Sequence, residues 1–340
     1  KVRTYNAGGV TYVSVVYKGL TDTSFSVSVP ANGNTSVTDA TTGQTIPSSV
    51  SGSNLVWTVS TDPMQLHSYK LTSGSSSEAV LAVGQITVTQ SNASQWHSVS
   101  FPSAYTDPVV VMSPASYNDS NPCTIRIRQV NSAGFQFQLD EWDYLDGAHG
   151  SETVYYLVME AGIHEIGGNT WIAGRQENVN NNWTTVTMPQ SLGAGPVILT
   201  QAETTNESSA ITPRMRNVSS STFELRLQRQ EEGTVTVSHE SVAYIAMAPG
   251  TGIEQGSAFE TFISSPFDEV WKTQTFSGSY TSPAVFAQNM TTTGSDPCTV
   301  RYHNLTGNSV DILIEEEQSA NTELIHSNED VGFLIFDIGN

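Results

Sequence analysis

Basic residues are scarce in this 340-residue chain: 13 lysines and arginines stand against 33 acidic residues, for a formal charge of −20. A surface of that sign repels phosphate backbones and anionic membranes, so neither nucleic acid nor a membrane is expected as a partner. A highly anionic polymer would need a local basic patch or bridging cations. No apolar run reaches the roughly 18 residues that a membrane-spanning helix requires. No signal-peptide pattern opens the chain either, so Lys1 reads as a processed boundary. Cysteine is nearly absent. Cys123 and Cys298 hold one repeat position, in NPCTIR and DPCTVR, and Ala210 is aligned with them in between. A disulfide needs Cα atoms within about 7 Å, which equivalent positions of separate repeats rarely reach. Two free, buried thiols are expected, and the redox compartment stays open. Sustained helical periodicity is missing, as are Gly-x-Ser-x-Gly, His-Glu-x-x-His and Walker-type loops.

What is present is repetition. Trp96, Trp183 and Trp271 open WHSVSF, WTTVTM and WKTQTF at separations of 87 and 88 residues. A proline then precedes each apolar run: Pro108 before VVVM, Pro196 before VILT, Pro283 before AVFA. TIRIRQV, TPRMRNV and TVRYHNL align Arg126, Arg214 and Arg301 at the same period. Each copy closes on a glutamate and an apolar strand: Glu152 with VYYLVM, Glu240 with VAYIAM, Glu329 with VGFLIF. Four landmarks at one period indicate a tandem triplication. Alternating Thr, Val, Ile and aromatic residues predict strands throughout.

The expected organisation is all-β: a small antiparallel β-sandwich over 1–74, then three six-stranded antiparallel sandwiches over 84–165, 168–253 and 254–340. The first part is broken by turn residues such as Gly8-Gly9 and Thr41-Thr42-Gly43. The run from Ser73 to Ser77 has linker composition. Ile163–Gly168 and Pro249–Gly252 read as connections between copies.

Two resemblances follow from these residues. The order RTY, G-x-TYV, VP, TG, L-x-W-x-V and M-x-L-H-S-Y-K-L over residues 2–72 resembles the β-sandwich trailing the catalytic barrel of many secreted, agarase-like glycoside hydrolases. That implies the tail of a longer extracellular enzyme. The repeats resemble the H-type lectin domain, through Phe101-Tyr105-Pro108-Val109-Val110, Arg126-Val130-Gly134-Phe135 and Val154-Tyr156-Val158. The first copy matches well, the third fairly, and the second loosely, with Met188 for Phe101. Members of that family are six-stranded sandwiches that trimerise and bind galactose or N-acetylgalactosamine between neighbours. The resemblance implies a monomer with an intrachain pseudo-threefold, a sugar contact from Arg126, and an aromatic ligand at Trp142.

Recurrence sorts the remaining candidates. The tryptophans kept in every copy suit the shared core, with a sugar-facing role as the alternative. Arg126, Arg214 and Arg301 co-occur with Glu152, Glu240 and Glu329, which fits ion pairs within a copy or across a seam. The planar guanidinium could instead donate to two vicinal hydroxyls. Segments that differ between copies are better candidates for specificity. The first copy has Asp140-Glu141-Trp142-Asp143-Tyr144-Leu145-Asp146. The second has Gln228-Arg229-Gln230-Glu231-Glu232, and the third has Glu315-Glu316-Glu317. Trp142 and Tyr144 could stack on pyranose C–H faces while Asp143, Asp146, Glu231 and Glu317 accept from hydroxyls. Packing between repeats is the competing role for the aromatic pair. His149 with Glu152 and His326 with Glu329 share an H-x-x-E spacing, while the second copy has His239 beside Glu240 and the third adds His303. A metal site, a sugar contact and a polar interface are all compatible with that pattern.

The expectation is a non-catalytic region that binds a polysaccharide of the agarose-like galactan class, with no cofactor and calcium left open. Two rivals remain: a hydrolase or lyase using paired carboxylates, and a structural or adhesion array.

Overall fold

The computed structural model describes residues 1–7, 10–32, 34, 36–72, 80–234, 236–322 and 324–339. The expected Gly8-Gly9 turn and the 73–77 linker lie outside them. The chain divides into two units, Lys1–Glu78 and Ala79–Asn340. Both are built from antiparallel strands, as the alternating sequence dictates.

The first unit is a sandwich. One sheet orders Val2–Ala7, Val10–Val16, Leu66–Thr72, Ser36–Asp39 and Thr45–Ile46, and the other orders Thr23–Pro30, Asn54–Thr61 and Ser48–Ser51. Alternate residues of SFSVSV and LVWTVS turn inward, so Val27, Val29, Leu55, Trp57 and Val59 are buried with Val13 and Leu71. The Trp57 and Tyr69 rings meet edge-on at 5.3 Å.

In the second unit each repeat forms two sheets. An outer, three-stranded sheet carries the arginine strand. It comprises His97–Ser100, Gly134–Glu141 and Cys123–Asn131 in the first repeat. Its counterparts are Thr184–Thr187, Thr222–Gln228 and Thr212–Arg216 in the second, and Lys272–Thr275, Ser309–Glu316 and Cys298–His303 in the third. An inner sheet carries the proline-led run and the closing strand, for example Pro108–Met112, His149–Glu160 and Leu81–Gln90. Each outer hairpin has a left-handed residue at one shared position: Gln129, Asn217 and Asn304, with φ of 54°, 51° and 49°.

The inner strands explain why their sequences are continuously apolar. Such strands are buried on both faces. Val110, Val154, Tyr156 and Val158 fill the first repeat's own interior. Their neighbours Val109, Val111, Leu157 and Met159 face a core shared by all three repeats. Val197, Leu199, Ile245 and Met247 enter that core from the second repeat, and Phe286 and Leu334 from the third. The Trp171 and Phe259 rings join the second and third repeats edge-on at 5.2 Å. Burying one such side chain contributes roughly 1.5–3 kcal/mol.

Three expectations need correction. Gly162–Ile166 and Gly250–Glu254, read as connections, are edge strands of the following repeat, paired with Asn169–Val179 and Ser257–Phe267. The second and third inner sheets therefore have four strands, and the first repeat starts at Leu81. Both hairpins turn on two left-handed residues, Gly167-Gly168 (φ 53° and 85°) and Gln255-Gly256 (φ 52° and 91°). Such turns match the twist of the flanking strands. The repeated tryptophans are not core. Trp96, Trp183 and Trp271 are half-buried, each beneath the side chain two residues beyond the aligned arginine. Arg128 lies 3.9 Å above Trp96, Arg216 lies 4.1 Å above Trp183, and the His303 ring stacks on Trp271 at 3.7 Å. Finally, Ile211, and not Ala210, stands where the other copies have cysteine; the seam contacts below fix that register.

Candidate functional site

The aligned arginines and glutamates make the seams. Arg126 donates to the Ser209 carbonyl over 2.8 Å and lies 3.6 Å from Glu240, both in the second repeat. Arg214 reaches Glu329 of the third repeat at 3.2 Å and donates to the carbonyls of Asp296 and Gly294. Arg301 reaches Glu152 of the first repeat at 3.1 Å and Glu315 of its own at 2.7 Å. Each repeat thus grips the next, and the third grips the first. A second cycle runs alongside: the Thr124, Thr212 and Thr299 hydroxyls donate to the carbonyls of Ile211, Cys298 and Cys123 at 3.1–3.2 Å. The ring is closed.

These arginines are no more than 2% exposed, and Glu152, Glu240 and Glu329 across the seams are no more than 1% exposed. Their terminal guanidinium nitrogens donate mainly to the neighbouring repeat. The sugar contact expected of Arg126, Arg214, Arg301 and Glu152 has no exposed group to make it. Of the two roles weighed, the geometry provides the seam ion pair.

His149 and His326 are buried and sit between carboxylates. His149 Nδ1 lies 2.9 Å from Glu141 and Nε2 lies 3.3 Å from Glu152, with Cys123 Sγ at 3.8 Å. His326 repeats this with Glu316 at 2.6 Å, Glu329 at 3.3 Å and Cys298 at 3.6 Å. Burial works against both imidazoliums, but the cysteine and glutamate contacts outweigh it, raising His149 to about 11 and His326 to about 10. Burial likewise opposes the charge on Glu152 and Glu329, yet the histidines and neighbouring hydroxyls hold both below the usual range. In the second repeat Ile211 and Val237 replace the cysteine–histidine pair in one apolar cluster, and Arg229 stands in place of the outer glutamate. These groups brace the seams. Both thiols are free and buried. Among the described residues no group of three or more His, Cys, Asp or Glu is arranged to hold a metal ion.

The variable segments do come together. Asp143 pairs with Arg229 at 3.5 Å, Glu317 accepts from the Glu231 amide at 2.8 Å, and the Tyr144 hydroxyl accepts from the Gln318 amide at 3.2 Å. The three segments therefore form a triangle of contacts around one end of the ring. Trp142 departs from its expected role: it is 1% exposed and packs inside, whereas Tyr144 is 39% exposed and Asp143 and Asp146 are also exposed. Asp146 accepts from the Ala148 amide at 2.9 Å, which fixes its own turn. His239 is exposed against Asn180 at 3.1 Å, and His303 pairs with Asp311 at 3.3 Å beside Trp271.

Next to this triangle, at the seam of the second and third repeats, lies a pocket of about 340 Å³. Asn181, Arg226, Gln228, Arg229, Glu231 and Pro297 line it. Its size falls in the roughly 300–1,000 Å³ range of small-ligand sites. Arg226 Nε, Arg229 Nε and Gln230 Oε1 are buried there without a protein partner. Burial, and then the hydrogen-bonded Asp296 carboxyl, push Glu231 up to about 7. Sequence reasoning chose Glu231 but passed over Arg226 and Arg229. The signal was there: Arg226 occupies the position of Gln138 and Leu313, and Arg229 that of Glu141 and Glu316.

No family model matches this chain, and no solved structure matches it. It is similar to Halomucin of Haloquadratum walsbyi, 29% identical over 268 residues. The match covers 75% of this chain and 3% of that protein, so the chain spans a small part of its relative's length.

Proposed function

We propose that the ring of repeats is a non-catalytic glycan-binding region that acts outside the cell. One observation carries this reading: the second-seam pocket of about 340 Å³, which Asn181, Arg226, Gln228, Arg229, Gln230 and Glu231 line with polar side chains. A polyhydroxylated ligand offers donors and acceptors that match this mixed lining of guanidinium, amide and carboxyl groups. The exposed Asp143, Tyr144 and Asp146 of the first repeat continue the polar rim beside it. The H-type lectin resemblance supports the same reading, since its sugars bind between neighbouring units, and it favours galactose-type units of a galactan. Resemblance of residues 2–72 to an accessory sandwich of secreted glycoside hydrolases, and the similarity to Halomucin, support the extracellular assignment.

The paired-carboxylate rival gains nothing from the acidic pair at this pocket. Glycoside hydrolysis needs carboxyl groups at least about 5 Å apart, whereas Glu231 and Asp296 are hydrogen-bonded to each other. Glu317 is held by the Glu231 and Ser319 amides. An adhesion array that binds protein alone predicts no glycan retention.

A glycan array probed with the whole chain, with and without chelator, tests the proposal. Retention of galactan oligosaccharides, lost on Gln230→Ala and without release of reducing ends, is expected. An array on which no glycan is retained would remove the reading.

A further inference from the structure

The second repeat concentrates positive charge where the rest of the molecule has little. Of nine arginines in the chain, Arg214, Arg216, Arg226 and Arg229 all fall in its outer hairpin and the residue after it. Three of them have carboxylate partners. Arg214 is committed to Glu329, Arg216 to Glu224 at 2.6 Å, and Arg229 to Asp143 and Glu207 at 3.5 and 3.7 Å. Arg226 has no carboxylate within ion-pair distance among the described residues. Its Nη2 touches Gln228 Oε1 at 3.4 Å, its guanidinium lies 4.7 Å over Trp183, and its Nε has no protein partner.

This charge is not required by the fold. The same position is Gln138 in the first repeat, donating to Asp140 at 2.9 Å, and Leu313 in the third, where it is buried. Arg226 also pairs across the ladder with Arg214, so two like charges face one another. Burial, then Arg214 and Arg216, push the Arg226 guanidinium down from its ordinary value. An anion in the pocket beside Arg226 would offset that repulsion and give its guanidinium the charged acceptor it lacks.

We propose that the second-seam pocket takes an anionic substituent, the carboxylate or sulfate ester of an acidic sugar, held by Arg226 and Arg229. The inference rests on the glycan-binding reading and names its substrate class. Guanidinium groups bind carboxylate and sulfate-like oxygens through paired, charge-assisted hydrogen bonds. Glu231, which also lines the pocket, is pushed up to about 7 by burial and by Asp296, which weakens its opposition to an anion there. Trp183, beneath Arg226 and Arg216, holds the fork in place.

The test is calorimetric titration of the full chain with three oligosaccharides of equal length: neutral galactan, sulfated galactan and oligogalacturonate. At least one acidic form should bind roughly tenfold or more tightly than the neutral form, with the advantage shrinking at high salt. The two acidic arms show which anion is preferred. Arg226→Gln, which installs the residue of the first repeat, should abolish the preference, so that acidic and neutral forms bind this variant equally. Arg226→Lys should retain part of it, and serves if the glutamine variant does not fold. Equal binding of neutral and acidic forms overturns the anion inference while glycan binding stands. A preference that survives Arg226→Gln in a folded protein overturns the assignment to this pocket. Failure of all three sugars removes the glycan reading and this inference with it.

Discussion

Arg301 of the third repeat donates to Glu152 of the first over 3.1 Å, and neither side chain is exposed. The two are far apart in the chain, so this contact closes the ring and is not a local turn. Arg301 is also satisfied by the Ser116, Asp119 and Asn121 carbonyls, which the first repeat offers from one loop.

Removing that arginine leaves Glu152 and Glu315 charged and enclosed. Arg301→Leu is expected to destabilise the second unit by about 3–5 kcal/mol, the range for breaking a buried pair. Urea unfolding followed by tryptophan fluorescence measures it. A loss below about 1 kcal/mol would show that the seam does not depend on the pair.

Cys123 and His149 act together, because the second repeat replaces both with Ile211 and Val237. Cys123→Ile and His149→Val are each expected to destabilise, and the double variant by clearly less than their sum. A coupling of roughly 0.5–3 kcal/mol is typical of residues in contact. Strict additivity in a double-mutant cycle would contradict the swap.

The histidine braces give stability a pH dependence whose sign follows from the raised values. His149 and His326 are held at about 11 and about 10 when folded, against about 6.5 unfolded. Their contribution is complete below about pH 6.5 and is lost as pH rises through the folded values. Glu152 and Glu329 are depressed, so their contribution is present above the ordinary carboxylate range and lost on acidification. Thermal midpoints should therefore peak between the two and fall steadily towards pH 10. His326→Val combined with Cys298→Ile should flatten the alkaline limb; an unchanged limb would assign it elsewhere.

Trp142 and Tyr144 should separate cleanly, although both lie in the variable segment. Trp142→Ala removes a buried ring and is expected to cost about 3–5 kcal/mol. Tyr144→Ala should change stability by less than about 1 kcal/mol and weaken glycan retention instead. Trp142→Phe that folds normally yet loses glycan would return the sugar contact to Trp142.

Periodicity exposed the triplication because every copy must meet the same packing demands, and the continuous apolar runs foretold strands covered on both sides. It could not say which partner an arginine meets. Arg126 and Glu152 share a copy in the sequence, but each is matched with a different repeat in space. Trp142 looked like a surface aromatic because it sits among acids; of these, Asp143 meets Arg229 of the second repeat, whereas Glu141 and Asp146 are held within their own copy. Gln255 concealed a two-residue turn that only Gly256 hinted at. Arg226 was legible as a departure from Gln138 and Leu313, but its isolation from carboxylates depends on the seam. A seam has no local sequence signature.

The ring also limits its own growth. Each repeat presents one arginine face and one receiving loop, a head and a tail that do not match themselves. Three steps bring the last head back to the first tail, and no adhesive end is left over. A chain cut after the second repeat would keep Arg214 without Glu329, and the 115–121 loop without Arg301. Those two loose ends are complementary in kind, so the shortened protein would be a monomer for a head-to-tail filament.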